Sequence, residues 1–282
     1  MRSVVAASCL ALVVCACSFD WNRLDPRVNA GTGGASDGGG GSAAQGGGTS
    51  GSGGSVGMGG GGAGGVGGAG GGSGGAGGST TIFFDDFDRP DGGIANGWLE
   101  KSPAAFALMG GQVRKTPVSS SYRDNLVYRA ASEDLLDVEI RLQVSGLPLS
   151  IGYPQIFVRA QSSTIATLNA YDGYLFYIDG SATAAVLGRQ IGTPFVVPLA
   201  TLTIAPPLTT TGVYRMRLSA QGQSPVHLEA FVEAWNGSSW VTIGSAMADD
   251  VAPDRIDTAG TVGFSANDTG DFFYDDFERL EL

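Results

Sequence analysis

The chain has 282 residues and a formal net charge of −11, and its composition changes sharply along its length. More than half of its 47 glycines lie between Gly31 and Gly78, and all three cysteines (Cys9, Cys15, Cys17) lie in the first seventeen residues. Three arginines balance three aspartates before residue 81, so the acidic charge belongs to residues 81–282, about the length of one domain. Two lysines and no basic run exclude a nucleic-acid partner, because such binding rests on neutralising phosphates. The lack of cysteine there excludes a disulfide framework, and the single histidine, His227, excludes a multi-histidine metal centre.

The N-terminus reads as an export signal. Arg2 precedes an apolar run, Val4 to Ala16, which is too short to span a bilayer but suits a signal core. The run Val13-Val14-Cys15-Ala16-Cys17 resembles a bacterial lipobox. Ala16 is the small residue such a site wants before its cysteine, whereas Val14 before Cys15 is not. The resemblance implies a signal peptide over residues 1–16 and lipid attachment at Cys17, so that the partner at this end is a membrane reached through lipid. Ser18 in place of aspartate implies delivery to the outer membrane or cell surface. Residues 17–30, with Trp21, Leu24 and Val28, form a short membrane-proximal segment. Residues 31–80 are rich in Gly, Ala and Ser and cannot bury enough apolar area to offset chain entropy, so they are expected to be a disordered linker. As a random coil this linker spans roughly 40 Å.

From residue 81 onward the apolar period is two, which predicts an all-β, antiparallel sandwich or barrel. In 137–144, Val138, Ile140, Leu142 and Val144 fall on one face and Asp137, Glu139, Arg141 and Gln143 on the other. In 225–233, Val226, Leu228, Ala230 and Val232 alternate with His227, Glu229, Phe231 and Glu233, and Tyr214–Leu218 alternates likewise. Tyr174–Ile178 is apolar on both faces and is predicted to be central. Asp172-Gly173, Asp179-Gly180, Asn236-Gly237 and Pro206-Pro207 mark turns. No window of twelve residues carries a helical stripe.

The opening Phe84-Asp85-Asp86-Phe87-Asp88-Arg89, with Gly92-Gly93 and Trp98, resembles the first strand of laminin-G-like, concanavalin A-like jelly rolls. The closing Gly260–Phe264 and Phe272–Glu278 resemble the end of such domains, and Gly173–Gly180 and Trp240 their middle. The resemblance covers nearly all of 81–282 and implies that the first and last strands pair. It also implies carbohydrate as the leading ligand class, either polysaccharide or smaller glycan.

That family includes glycosidases with a Glu-x-Asp-x-Glu strand, whose paired carboxylates act as nucleophile and acid/base. The nearest match here, Leu135-Leu136-Asp137-Val138-Glu139, puts Leu135 at the nucleophile position, so no catalytic residue is assigned. Asp137, Glu139 and Arg141 read instead as a solvated face with cross-strand ion pairs. His227 and Glu229 share a face, but no Gly-x-Ser-x-Gly elbow accompanies them. Tyr171, Tyr174, Tyr177 and Trp235 are the candidate sugar-stacking rings, while Trp98 and Trp240 are expected in the core.

If the end strands pair, Asp85, Asp86 and Asp88 meet Asp275, Asp276 and Glu278. Solvation, arginine pairing and backbone hydrogen bonds are one remedy for that repulsion, and a structural calcium at Asp85, Asp86, Asp275 and Asp276 is the other. A change of parity between Phe277 and Leu280 predicts a bulge in the last strand. The sequence therefore predicts a lipid-anchored surface protein with a monomeric, non-catalytic, carbohydrate-binding jelly roll and no required cofactor. A concanavalin-fold glycoside hydrolase, or a passive envelope or adhesion protein that binds another protein, are the alternatives.

Overall fold

The computed structural model describes residues 79–116, 125–147, 154–165, 171–192, 195–266 and 272–282. The signal peptide, Cys17, the membrane-proximal segment and nearly all of the linker lie outside the described residues. In chain order the strands begin with β1 (Thr80–Asp85), β2 (Leu99–Glu100), β3 (Phe106–Met109), β4 (Gln112–Lys115) and β5 (Leu126–Tyr128). β6 (Val138–Ser145), β7 (Pro154–Ala160), β8 (Gly173–Ile178), β9 (Ala184–Gln190) and β10 (Val197–Thr203) follow. β11 (Val213–Gln221), β12 (Val226–Trp235), β13 (Trp240–Asp250), β14 (Thr261–Ala266) and β15 (Phe273–Glu281) complete the set. A single helical turn, α1 (Ser162–Ile165), and a 3-10 turn at Ala131–Glu133 interrupt the strands. β1 begins one residue before the boundary read from sequence.

Two antiparallel sheets result. One runs β13-β12-β11-β6-β15-β4-β3, with β1 also paired to β15, and the other runs β10-β9-β8-β7-β14-β5-β2. The two-residue periodicity predicts the antiparallel strands, and the jelly-roll sandwich is what the family resemblance implies. The four apolar residues of β6 are fully buried. They stand in register with Ala220, Leu218, Met216 and Tyr214 of β11, which in turn oppose Leu228, Ala230, Val232 and Ala234 of β12. Ile156, Val158, Tyr174, Phe176 and Phe264 meet them from the other sheet. Each fully buried aliphatic or Phe side chain of this kind contributes roughly 1.5–3 kcal/mol.

β8 is central, with β7 and β9 as neighbours, as its two apolar faces require. Its outward residue Leu175 packs with Leu126, Phe157, Ile165 and Tyr171 in a second cluster, so this part of the outer face of the seven-stranded sheet is apolar and buried. The outer face of the eight-stranded sheet is polar along β6, β11 and β12. That difference decides where a site can sit.

The ends pair as expected, from Thr80 opposite Glu281 to Asp85 opposite Phe277. The bulge is present too. The register of β15 against β6 shifts between Asp275 and Glu278, and Asp276 takes a φ of 45°. Alternation is thereby reset, so that Tyr274 and Phe277, three residues apart, both enter the core, whereas Leu280 is buried in register with Glu139 on the other face.

Candidate functional site

The polar residues of β6, β11 and β12 form cross-strand rows on the outer face of the eight-stranded sheet. Glu139, Ser219 and Glu229 make one row, Arg141, Arg217 and Phe231 the next, and Gln143, Arg215 and Glu233 a third. Arg141 directly opposes Arg217, an arrangement that destabilises a sheet unless anions intervene. Anions do intervene. Arg141 Nε donates to Glu139 Oε1 at 2.6 Å and its Nη1 to Glu278 Oε2 at 3.2 Å. Arg217 reaches both Glu139 oxygens, at 3.3 and 3.1 Å, and Glu233 Oε1 at 3.3 Å. Arg215 Nε closes the series on Glu233 Oε2 at 2.6 Å.

The result is an alternating ladder of Glu278, Arg141, Glu139, Arg217, Glu233 and Arg215. Burial works against the Arg217 cation, but the hydrogen bonds and charges of Glu139 and Glu233 outweigh it and raise its pKa above the ordinary arginine value. Glu139 and Glu233 are 7% and 5% exposed, so the solvated face expected from sequence is in fact a packed one, although the cross-strand ion pairs are real. Long guanidinium stems cover the carboxylates.

Aromatic rings border the ladder. The Arg217 guanidinium lies 4.7 Å from the Phe231 ring centroid, and that of Arg215 lies 4.7 Å from Trp240. Trp240 packs against Trp235 at 5.4 Å, inclined by 58°, across the turn that Asn236–Ser239 makes. Both tryptophans are half-buried, so Trp240 is not the core residue that its sequence context suggests. Trp98 is, at 7% exposed, with Phe83, Phe87, Phe264 and Phe277 around it. At the far end of β12, His227 Nδ1 pairs with Asp249 at 2.7 Å and Nε2 with Glu229 at 3.4 Å. The hydrogen bond to Asp249 is the main reason its pKa is raised.

The four predicted stacking rings are not brought together. Tyr171 and Tyr174 are 2% and 0% exposed and present no face to a ligand, which corrects their assignment. The Tyr174 hydroxyl donates to Asp250 Oδ2 at 2.9 Å and accepts the Ile256 N–H at 3.0 Å, and burial pushes its pKa up. Tyr171 packs on Phe157 at 4.8 Å. Tyr177 is half-buried beside the same second cluster. Trp235 alone lies on the polar face. Leu135 is not on a strand with Glu139: it bridges Gly260 ahead of β6, and Asp137 holds the Gly222 N–H at 2.8 Å. β6 therefore does not carry the paired-carboxylate pattern sought there.

The acidic residues of the paired ends find partners within the protein. Asp85 points inward and accepts from Arg89 Nη1 at 2.6 Å, Arg89 Nη2 at 3.2 Å, Asn96 at 3.0 Å, Trp98 Nε1 at 2.7 Å and the Phe87 N–H at 2.9 Å. Asp86 accepts the Asp88 N–H, and Asp275 accepts from Gln112 and the Asp276 N–H. Arginine pairing and backbone bonding thus relieve the acidic ends. Among the described residues, no three His, Cys, Asp or Glu side chains converge to hold a metal.

Phe231 is legible from parity. Arg215, Arg217 and Glu233 were missed as site residues, though the Arg-x-Arg of β11 and the Glu-x-Phe-x-Glu of β12 were the available signal. The face has planar donors, acceptors and ring surfaces, but its two central carboxylates are committed to guanidinium donors.

No protein-family model matches the chain, and no curated protein is significantly similar to it. Among solved structures it is similar to a Bacillus subtilis protein of unknown function with a galectin-like fold, at 11% identity and a TM-score of 0.48, covering 72% of this chain and 98% of that one. It is also similar to a Bacillus licheniformis β-glucanase at 12% identity and a TM-score of 0.46, covering 73% and 99%. A carbohydrate-binding module from Bacillus subtilis gives 14% identity and a TM-score of 0.40, covering 64% and 95%. These values carry nothing about activity, and it is its own two-sheet topology that makes the chain an antiparallel jelly-roll sandwich.

Proposed function

We infer that this chain is a lipid-anchored surface protein whose jelly roll binds carbohydrate without cleaving it. The polar face of the eight-stranded sheet is the receiving surface. One observation carries the reading: the ladder Arg141–Glu139–Arg217–Glu233–Arg215 lies beside Phe231, Trp235 and Trp240 on a single sheet face. Sugars present hydroxyls that pair with such planar donors and acceptors, and C–H faces that pack on aromatic rings. Cleavage by paired carboxylates needs one of them available as an acid, and here both central carboxylates are already bonded to two arginines each. The anchor rests on the Ala16-Cys17 signal in the sequence.

A glycan array tests the binding. Retention of a glycan, weakened at least about tenfold by Trp235→Ala or Phe231→Ala and unchanged by Tyr177→Ala, is the expected result. Retention unaffected by Trp235→Ala and Phe231→Ala would move the site elsewhere, and no retained glycan would end the carbohydrate reading.

A further inference from the structure

A second concavity lies away from the polar face, where β2 and β3 are the edge strands of their sheets. It has a volume of about 530 Å³. Ile94, Trp98 and Phe106, all below a tenth exposed, give it an apolar wall, and Pro103 and Ala107 lie along it. Of the described residues lining it, Glu100 is the one that ionises.

The register explains why a carboxylate sits there. Glu100 opposes Val127, which is fully buried, so it points to the inner side of the sandwich, while Leu99 points out and is exposed. Glu100 Oε2 accepts the Ala104 N–H at 2.7 Å, but Oε1 is shielded from water and has no hydrogen-bond partner among the described residues. Burial raises the Glu100 carboxyl above the ordinary glutamate value, and the Ala104 backbone N–H offsets this only in part. An inward charge on an edge strand also guards against edge-to-edge pairing, which accounts for its position but not for the cavity next to it.

We propose that this cavity binds a small primary alkylamine, with the ammonium on Glu100 and the alkyl stem against Ile94 and Phe106. An ammonium offers three donors and the one charge that compensates a half-buried carboxylate. An alcohol offers a single donor, and an organic acid meets Glu100 and a chain of net charge −11. The site is separate from the glycan face, so either reading stands without the other.

The full chain is titrated calorimetrically with n-butylammonium, n-butanol and butyrate at pH 7 and fixed ionic strength, with the Trp98 indole N–H resonance as the local reporter. Saturable binding of butylammonium that shifts this resonance is expected, with n-butanol at least about tenfold weaker and no binding of butyrate. Glu100→Gln is expected to weaken the amine at least about tenfold while keeping its melting temperature. Ala107→Phe, which fills the cavity and leaves Glu100 intact, is expected to abolish binding. The proposal is overturned if no amine binds, if butanol binds as tightly, or if either variant keeps the wild-type affinity.

Discussion

Asp85 shows how one side chain can organise a strand end. Its carboxylate is 3% exposed and takes five hydrogen bonds, two of them from Arg89. Burial alone would raise its pKa, but the bonds from Arg89, Trp98, Phe87 and Asn96 prevail and hold it below the ordinary aspartate value. A depressed carboxylate stabilises the fold above the unfolded-state pKa, near 3.9, and that stabilisation is lost as pH falls through the folded-state value. Asp85→Asn keeps the shape but removes the charge. It should cost about 2–4 kcal/mol at pH 7 and flatten the loss of stability below pH 4, as read by urea melts across pH. An unchanged acid limb would show that Asp85 is not what titrates. The cluster of acids was plain in the sequence, but its meaning was not. The bonding partners Asn96 and Trp98 are eleven and thirteen residues away, and only the turn of the 86–98 segment brings them to Asp85. Tyr174 was misread for another reason: Tyr174–Ile178 is apolar on both faces, so parity could not say which rings were enclosed.

At the scale of the strand, β14 is the most constrained element. It lies between β5 and β7, and Gly263 opposes Tyr128 on one side and Phe157 on the other. A Cβ at Gly263 would fall 2.0 Å from the Val127 carbonyl oxygen and 2.7 Å from the Phe157 ring. Backbone cannot yield there as a flexible side chain would. Gly263→Ala should therefore destabilise by at least about 1–3 kcal/mol, with the urea midpoint falling and the slope kept. Gly93→Ala, where a Cβ meets nothing within 4 Å, should stay within about 0.5 kcal/mol. Equal melts for the two variants would refute the crowding. Gly260–Phe264 was legible as a closing strand, and the long alternating strands β6, β11 and β12 were legible from their period. The ion-pair ladder was not, because Arg217 and Glu139 are 78 residues apart and meet only through the β6–β11 register. The short β2, β3 and β5 carry too few residues to show a period at all.

At the scale of the whole molecule, the sequence divides labour between a neutral N-terminal part and an acidic sandwich that the chain enters at Thr80, opposite Glu281. Such a domain gains nothing from an anionic lipid surface, since a net charge of −11 is repelled by it. In the function proposed above, attachment comes instead from lipid on the chain itself. A single acyl chain holds a protein marginally, whereas two or more give a stable anchor, so in that proposal the modification at one cysteine supplies more than one chain. The choice between Cys15 and Cys17 follows from the preceding residue: Ala16 is small, and Val14 is branched. Cys17→Ser should abolish metabolic palmitate labelling and release the protein from the membrane fraction, while Cys15→Ser should leave both intact. Loss of label from Cys15→Ser alone would transfer the anchor to that residue. Labelling that survives the double substitution would mean the attachment lies elsewhere in the chain.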